Sequence, residues 1–193
     1  MVKKTDLINE VEHLSTSQLL SLFSTLKAPS ISEMNGEYSA TMLIQPNWLA
    51  TLAGRALTNP FMNWQAKAFR PIDQNSGRGY NTFLVGSKII QRYPMLTVLA
   101  PSRYDGQPAY QLVYQSFYSL CNAINMVDEV RQLDTGIYLG IGTWGFTAKQ
   151  RQIAYPFLLQ QNDQSYRGDI GHIRHGFKVT TRQIPALNKV NQA

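Results

Sequence analysis

The feature that most constrains this chain is an early change in hydrophobic period. Up to Leu26, apolar residues recur every three or four positions: Leu7, Ile8, Val11, Leu14, Leu19, Leu22, Phe23 and Leu26. That is the stripe of an amphipathic helix. Ser15-Thr16-Ser17 offers hydroxyls that end one helix and cap the next, and Ala28-Pro29-Ser30 stops the run. After Met34-Asn35-Gly36 the period falls to two. Tyr38, Ala40, Met42 and Ile44 share one face, and Glu37, Ser39, Thr41 and Leu43 the other, as in a half-buried strand.

Beyond one more short helical stretch, Pro46 to Leu57, the chain is β in character. Trp64 to Phe69 and Asn81 to Ile90 read as strands separated by a loop from Asp73 to Gly79. Met95 to Leu99 and Ala109 to Tyr118 flank Tyr104-Asp105-Gly106-Gln107. Val127 to Leu133 and Ile137 to Ile141 flank Asp134-Thr135-Gly136, and Ala154 to Leu159 supplies a last strand. Glycine tolerates positive φ, so these turns read as hairpins. Short strands joined by tight turns predict a mainly β (α+β) fold: an N-terminal helical segment beside an antiparallel β-barrel. Closure removes the edges that an open sheet must protect. One domain is expected over 1–193, with helices in 1–30, the barrel in 34–160 and a basic extension in 161–193.

Charge narrows the choice of partner. The chain of 193 residues has a formal charge of +6. Residues 1–148 hold 11 Lys/Arg against 10 Asp/Glu, while 149–193 hold 7 against 2. The body is near neutral and the basicity belongs to the extension, which argues against nucleic acid as the partner. No apolar run is long enough for a membrane span, and the start, Met1-Val2-Lys3-Lys4, lacks a signal-peptide core. With the single Cys121, these features set the expectation of a cytoplasmic protein.

The motifs assign no catalytic residue, cofactor or metal. Gly140-Ile-Gly142-Thr-Trp-Gly145 fits the spacing of a dinucleotide loop, with Asp163 downstream. Hairpins rather than βαβ units precede it, and Trp144 is bulky where a pyrophosphate would approach. A Gly-rich strand end is the preferred reading. His172 and His175 lack further metal ligands, Cys121 has no nearby His, and no Gly-x-Ser-x-Gly elbow occurs. Asp128 and Glu129 are the best candidates for acid–base chemistry, but as strand neighbours they face opposite ways, so spacing alone does not make them a catalytic pair.

Asp128-Glu129-Val130-Arg131 is the most informative charge cluster. Its two readings are a surface ion pair, or an Arg131 guanidinium inside a cavity that orients a polar or anionic ligand head. Tyr110, Tyr114 and Tyr118 form a tyrosine row, suited to an interior lining or to a homodimer contact.

Met34-Asn-Gly36-Glu-Tyr38-Ser-Ala40 resembles the first strand of lipocalin-like (calycin) proteins and of small bacterial proteins named for a G-x-W-x-G motif. Trp64-Gln-Ala66-Lys67-Ala-Phe69 is similar to the Trp-x-Gly-Lys-x-Phe segment of the latter. Asp128 to Arg131 and Gly136 to Gly140 are similar to later strands of such barrels. Tyr38 stands for Trp, and Ala40 and Ala66 stand for Gly. The resemblance covers about residues 20–160 and implies a barrel that holds a small apolar ligand, with no activity attached.

The leading expectation is binding of a small hydrophobic molecule with a polar or anionic end. Lys67, Asn81 and Arg131 are the candidate polar contacts, and Tyr38, Trp64, Tyr114 and Tyr138 the candidate lining. Two alternatives stand beside it: an enzyme acting on an apolar molecule in the same cavity through Asp128 or Glu129, and an interaction protein self-associating through the tyrosine face.

Overall fold

The computed structural model describes residues 4–47 and 63–192. The expected helix from Pro46 to Leu57 falls, from Trp48 onward, outside the described residues. The helical front end is two helices, α1 (Lys4–Glu12) and α2 (Thr16–Thr25). They part at Ser15, whose hydroxyl accepts from the Gln18 backbone N–H while the Gln18 side chain accepts from the Ser15 N–H. This reciprocal box satisfies donors that a helix start leaves free. Among the described residues, no helix is long and apolar enough to cross a membrane.

Eight strands close into an antiparallel barrel: β1 (Gly36–Met42), β2 (Asn63–Pro71), β3 (Ser76–Val85), β4 (Lys88–Pro101), β5 (Pro108–Val113), β6 (Val127–Asp134), β7 (Ile137–Thr143) and β8 (Tyr155–Gln161). Each pairs with its sequence neighbours, and β1 closes on β8 with Ala40 opposite Leu159. This up-and-down order puts turns 72–75, 102–107 and 135–136 at one end, the floor. Residues 43–47, the β3–β4 turn, and connections 114–126 and 144–154 lie at the other end, the mouth. A short helix, α3 (Leu120–Ala123), sits in the β5–β6 connection.

Glycine explains two of the strand boundaries that differ from the sequence reading. The supposed strand from Asn81 to Ile90 is the end of β3 and the start of β4, turning at Gly86 with φ +60°. The supposed loop from Asp73 to Gly79 is mostly β3. Gly77 and Gly79 lie in the strand because a Cβ at Gly79 would come within 2.7 Å of the Phe69 ring. Gly140 plays the same part on β7, where a Cβ would lie 2.2 Å from the Phe157 ring. The first of the dinucleotide-like glycines therefore makes room for a ring inside the barrel.

The floor is filled with rings. Tyr38 packs against Phe69 at 5.6 Å and Tyr138 at 5.5 Å, and Phe69 meets Tyr110 edge-on at 5.7 Å. Ile31 and Met34, just before β1, join this cluster. The Tyr38 hydroxyl accepts from the Asn35 N–H and donates to the Glu33 carbonyl, tying that segment across the floor. On the outside, Val11, Leu19 and Phe23 of the helices pack with Ile137, Leu139, Ile141 and Leu158 of β7 and β8.

Arg131 does not enter the barrel. Along β6, Asp128 and Val130 face inward and Glu129 and Arg131 outward. Arg131 is nonetheless fully buried, under α2 and the β4–β5 turn. Its guanidinium donates to both Asp105 carboxylate oxygens at 2.7 and 2.8 Å, and to the Phe23, Gln107 and Pro108 carbonyls. It also lies 4.5 Å from the Phe23 ring centroid. The tyrosine row is broken too. Tyr110 and Tyr114 are inside, β5 gives way to a 3-10 turn at Tyr114–Ser116, and Tyr118 is 81% exposed.

The basic extension is an ordered strap rather than a loose tail. Gln164 accepts from the Glu37 N–H, and the Arg167 N–H donates to the Tyr80 hydroxyl. Asp169 pairs with Arg70 at 2.6 Å and Arg78 at 2.9 Å. Further on, Ile184 is buried against Ala100 and Val113.

Two outcomes follow from these ties. Arg131→Leu leaves Asp105 and three carbonyls without their donor, and is expected to lower unfolding free energy by about 3 kcal/mol in urea titration. Arg70 and Arg78 hold the Asp169 carboxyl below its ordinary value, outweighing the opposing effect of burial. A depressed folded value means that the contribution is present above the unfolded value, roughly pH 4, and is lost as pH falls through the folded one. Hydrogen exchange should show residues 164–171 losing protection first on acidification, and Asp169→Asn should reproduce that loss at neutral pH.

Candidate functional site

Packing stops halfway up the barrel. Above the floor rings lies a cavity open at the mouth; cavity and solvent-filled opening together enclose about 700 Å³ of empty space. Its walls are mostly apolar, including Met42, Phe83, Tyr93, Leu120, Met126 and Phe157. Apolar walls with few polar groups are the general character of small-molecule sites.

The polar groups are brought together by two irregularities in the sheet. On β2 the register shifts between Trp64 and Ala66, so Gln65 is an extra residue. Trp64 and Lys67 are three apart, and strict alternation would put them on opposite faces; the bulge turns both inward. The register of β3 and β4 shifts between Gly79 and Asn81, placing Tyr93 in a left-handed conformation with φ +54°. This conformation is strained for a residue with a Cβ. It aims the Tyr93 ring at the cavity wall, edge-on to Phe83 at 5.5 Å.

At the base of the cavity, Lys67 is 3% exposed and saturated. Its ammonium donates to Asn81 Oδ1 at 2.9 Å, Asp128 Oδ2 at 2.9 Å and the Tyr114 hydroxyl at 2.6 Å. The Tyr114 hydroxyl donates to Asp128 Oδ2 at 3.0 Å, and the Trp64 indole donates to Asn81 Oδ1 at 3.1 Å. Rings of Trp64, Tyr114 and Phe157 surround the ammonium, with centroids at 5.2, 5.4 and 5.1 Å. Burial, reinforced by the Asp128 charge, raises the Tyr114 hydroxyl well above its ordinary value, so it is a neutral donor. The cluster therefore holds one positive and one negative charge.

Cys121 lines the same cavity, but burial pushes its thiol up to about 12, against the opposing pull of Lys67. A protonated thiol is a poor nucleophile. Two lining groups keep unused polar atoms among the described residues: Gln45 Oε1, whose amide nitrogen is fixed on the Leu43 and Pro156 carbonyls, and the Trp144 indole N–H.

Of the residues singled out in the sequence, Trp64, Lys67, Asn81 and Tyr114 meet in this cavity. Tyr38 and Tyr138 belong to the packed floor, and Arg131 lies outside the barrel. Asp128 takes the charged interior position that Arg131 was expected to hold. Of the two readings of the charge cluster, the outer ion pair holds for Arg131, which is as thoroughly buried there as any core residue. Tyr93, Trp144 and Gln45 were not singled out; nothing in the sequence marks a bulge that turns a ring inward. Asp128 and Glu129 face opposite sides, as strand alternation requires. Among the described residues, no cluster of His, Cys, Asp and Glu is arranged to hold a metal ion.

Removing one partner of the buried pair should be costly and removing both mild. Lys67→Met leaves Asp128 alone in an apolar cavity and is expected to lower stability by about 3–5 kcal/mol. In Lys67→Met/Asp128→Leu most of that loss should return, as read by chemical denaturation.

Comparison with solved structures places the barrel among known folds. A crystal structure of a protein from Thermomonospora curvata is similar, with a TM-score of 0.55 at 18% sequence identity, covering 82% of this chain and 95% of that one. No family model matches the chain, and no curated protein does. At that identity the likeness is one of architecture: the chain has the fold of an antiparallel β-barrel with a neighbour in another protein.

Proposed function

We propose that the barrel binds a small, largely apolar molecule with an uncharged polar end, such as a hydroxyl, carbonyl or amide. The observation that carries this reading is an apolar cavity, open at one end, whose base is a charge-balanced cluster. An anionic end would sit beside the Asp128 carboxylate, and Lys67 has all three of its N–H groups engaged within the protein. A neutral end avoids that repulsion and finds partners in the Trp144 indole N–H and Gln45 Oε1. The sequence expectation allowed an anionic end because Arg131 was set in the cavity; with Arg131 outside, that support is gone.

The lipocalin-like resemblance of residues 34–40 and 64–69 agrees with a carrier of this kind. Catalysis in the same cavity has less to support it. Its one carboxylate, Asp128, takes both the Lys67 and Tyr114 hydrogen bonds on one oxygen, which weakens it as a base. Self-association through a tyrosine face loses its basis, since Tyr110 and Tyr114 are interior.

Two measurements test the reading. Native mass spectrometry of protein purified from its source should show a bound small molecule. Displacement of the neutral dye N-phenyl-1-naphthylamine should occur with dodecanol at about tenfold lower concentration than with dodecanoate, the equivalent of about 1.4 kcal/mol. Asp128→Asn removes the repelling charge and should reverse that order. No bound mass together with no dye binding would sink the proposal, and equal competition by alcohol and acid would remove the uncharged end.

A further inference from the structure

The mouth of the barrel gathers exposed apolar side chains and cations. Large apolar side chains stand exposed on three described connections at the mouth, Ile44 (48%), Tyr118 (81%), Leu120 (51%), Phe146 (68%) and Ile153 (36%), and beside the β3–β4 turn at Ile89 (40%), against Ile72 (45%) and Leu99 (44%) at the floor end. Soluble surfaces leave single apolar residues exposed without consequence, but a set spread around one opening is a different matter. Leu120 also lines the cavity, so the exposed rim is continuous with its wall.

The charges at this end have one sign. Residues 43–47, 84–89, 114–126 and 144–154 contain no Asp or Glu and carry Lys88, Lys149 and Arg151. Arg174 of the strap joins them, its guanidinium 5.0 Å from the Tyr118 ring centroid and its backbone N–H bonded to the Ser116 carbonyl. The turns at the floor instead carry Asp73, together with Arg103 and Asp105, the latter paired with Arg131. Cations are thus interleaved among apolar side chains at the open end.

We infer that the mouth docks on an anionic lipid surface, with the rim side chains entering the headgroup region and the cations facing lipid phosphates. A bilayer presents negative groups immediately above apolar chains, and that layering matches a rim in which both kinds of side chain project together. An acidic protein surface would meet the cations and leave Phe146 and Leu120 opposite polar groups. Docked in this way, the cavity opens onto the hydrocarbon boundary, and an apolar ligand passes between bilayer and barrel without crossing water. This purpose rests on the ligand reading above; the docking itself is measured without any ligand.

Flotation of the full chain with vesicles tests it. Vesicles of phosphatidylcholine containing a minority of phosphatidylglycerol should carry the protein upward, and phosphatidylcholine alone should not. Lys149→Gln should weaken partitioning roughly five-fold, as expected for one cation near a charged surface. Phe146→Ser, at an exposed position outside the cavity lining, should weaken it by about tenfold while leaving dye binding intact. Circular dichroism confirms that each variant is folded.

Lack of flotation with anionic vesicles overturns the proposal. So does flotation unaffected by Phe146→Ser, or a dimer in analytical ultracentrifugation that Phe146→Ser dissociates, since the rim would then face a second copy. Vesicle binding without dye binding would keep the docking surface and reject the ligand reading; dye binding without vesicle binding would do the reverse.

Discussion

A lysine inside a barrel has few tolerable arrangements, and Lys67 dictates much of what surrounds it. An ammonium removed from water must recover its hydration from the protein, and Lys67 does so with a carboxylate, an amide oxygen and a phenol at once. Asp128 must therefore face inward on β6, which turns Glu129 and Arg131 outward. Tyr114 must reach the same point, and the 3-10 turn that ends β5 keeps its hydroxyl there. The bulge at Gln65 lets Trp64 share the interior with Lys67, closing an aromatic wall around the charge. Below this layer only rings are needed. Above it the barrel is unfilled.

A second polar arrangement lies on the other side of β6. Arg131 is buried without being interior, held between α2 and the β4–β5 turn. Arg103 and Glu129 form a neighbouring buried pair, and Arg103 also donates to carbonyls of Arg151 and Gln183. The outer face of the sheet is thus a packed layer under helices and strap. The extended C-terminal segment needs no helical or strand periodicity, because arginine ties and a few apolar anchors fix it in place.

The architecture was legible because alternation, Asp-Gly turns and an early helical stripe are local signals. Ser15 marked the helix break, and Asp105-Gly106 and Gly136 marked real hairpins. Glycine misled at Gly79, which lies in a strand and answers the distant Phe69 ring; Gly140, expected in a Gly-rich strand, lies in one and answers Phe157. The candidate site was half legible. Lys67, Trp64, Asn81 and Tyr114 meet as lining residues, yet their adjacency depends on two bulges that no spacing rule reveals. Arg131 went to the wrong side because a strand covered on both faces gives a charged residue no exposed face to declare.

The seam between β1 and β8 has a consequence for how the chain reaches this state. Ala40 cannot meet Leu159 until nearly the whole barrel exists, so the step that seals the cylinder is the most non-local in the structure. Until then β1 is an unpaired edge, and the stopper formed by Ile31 and Met34 has no tube to close. The strap that follows β8 bonds back to Glu37 at the start of β1, through the Gln164 carbonyl and the Asn162 N–H. The segment after β8 thus fastens the first strand, and a chain lacking residues 162–164 would leave the seam without its clasp.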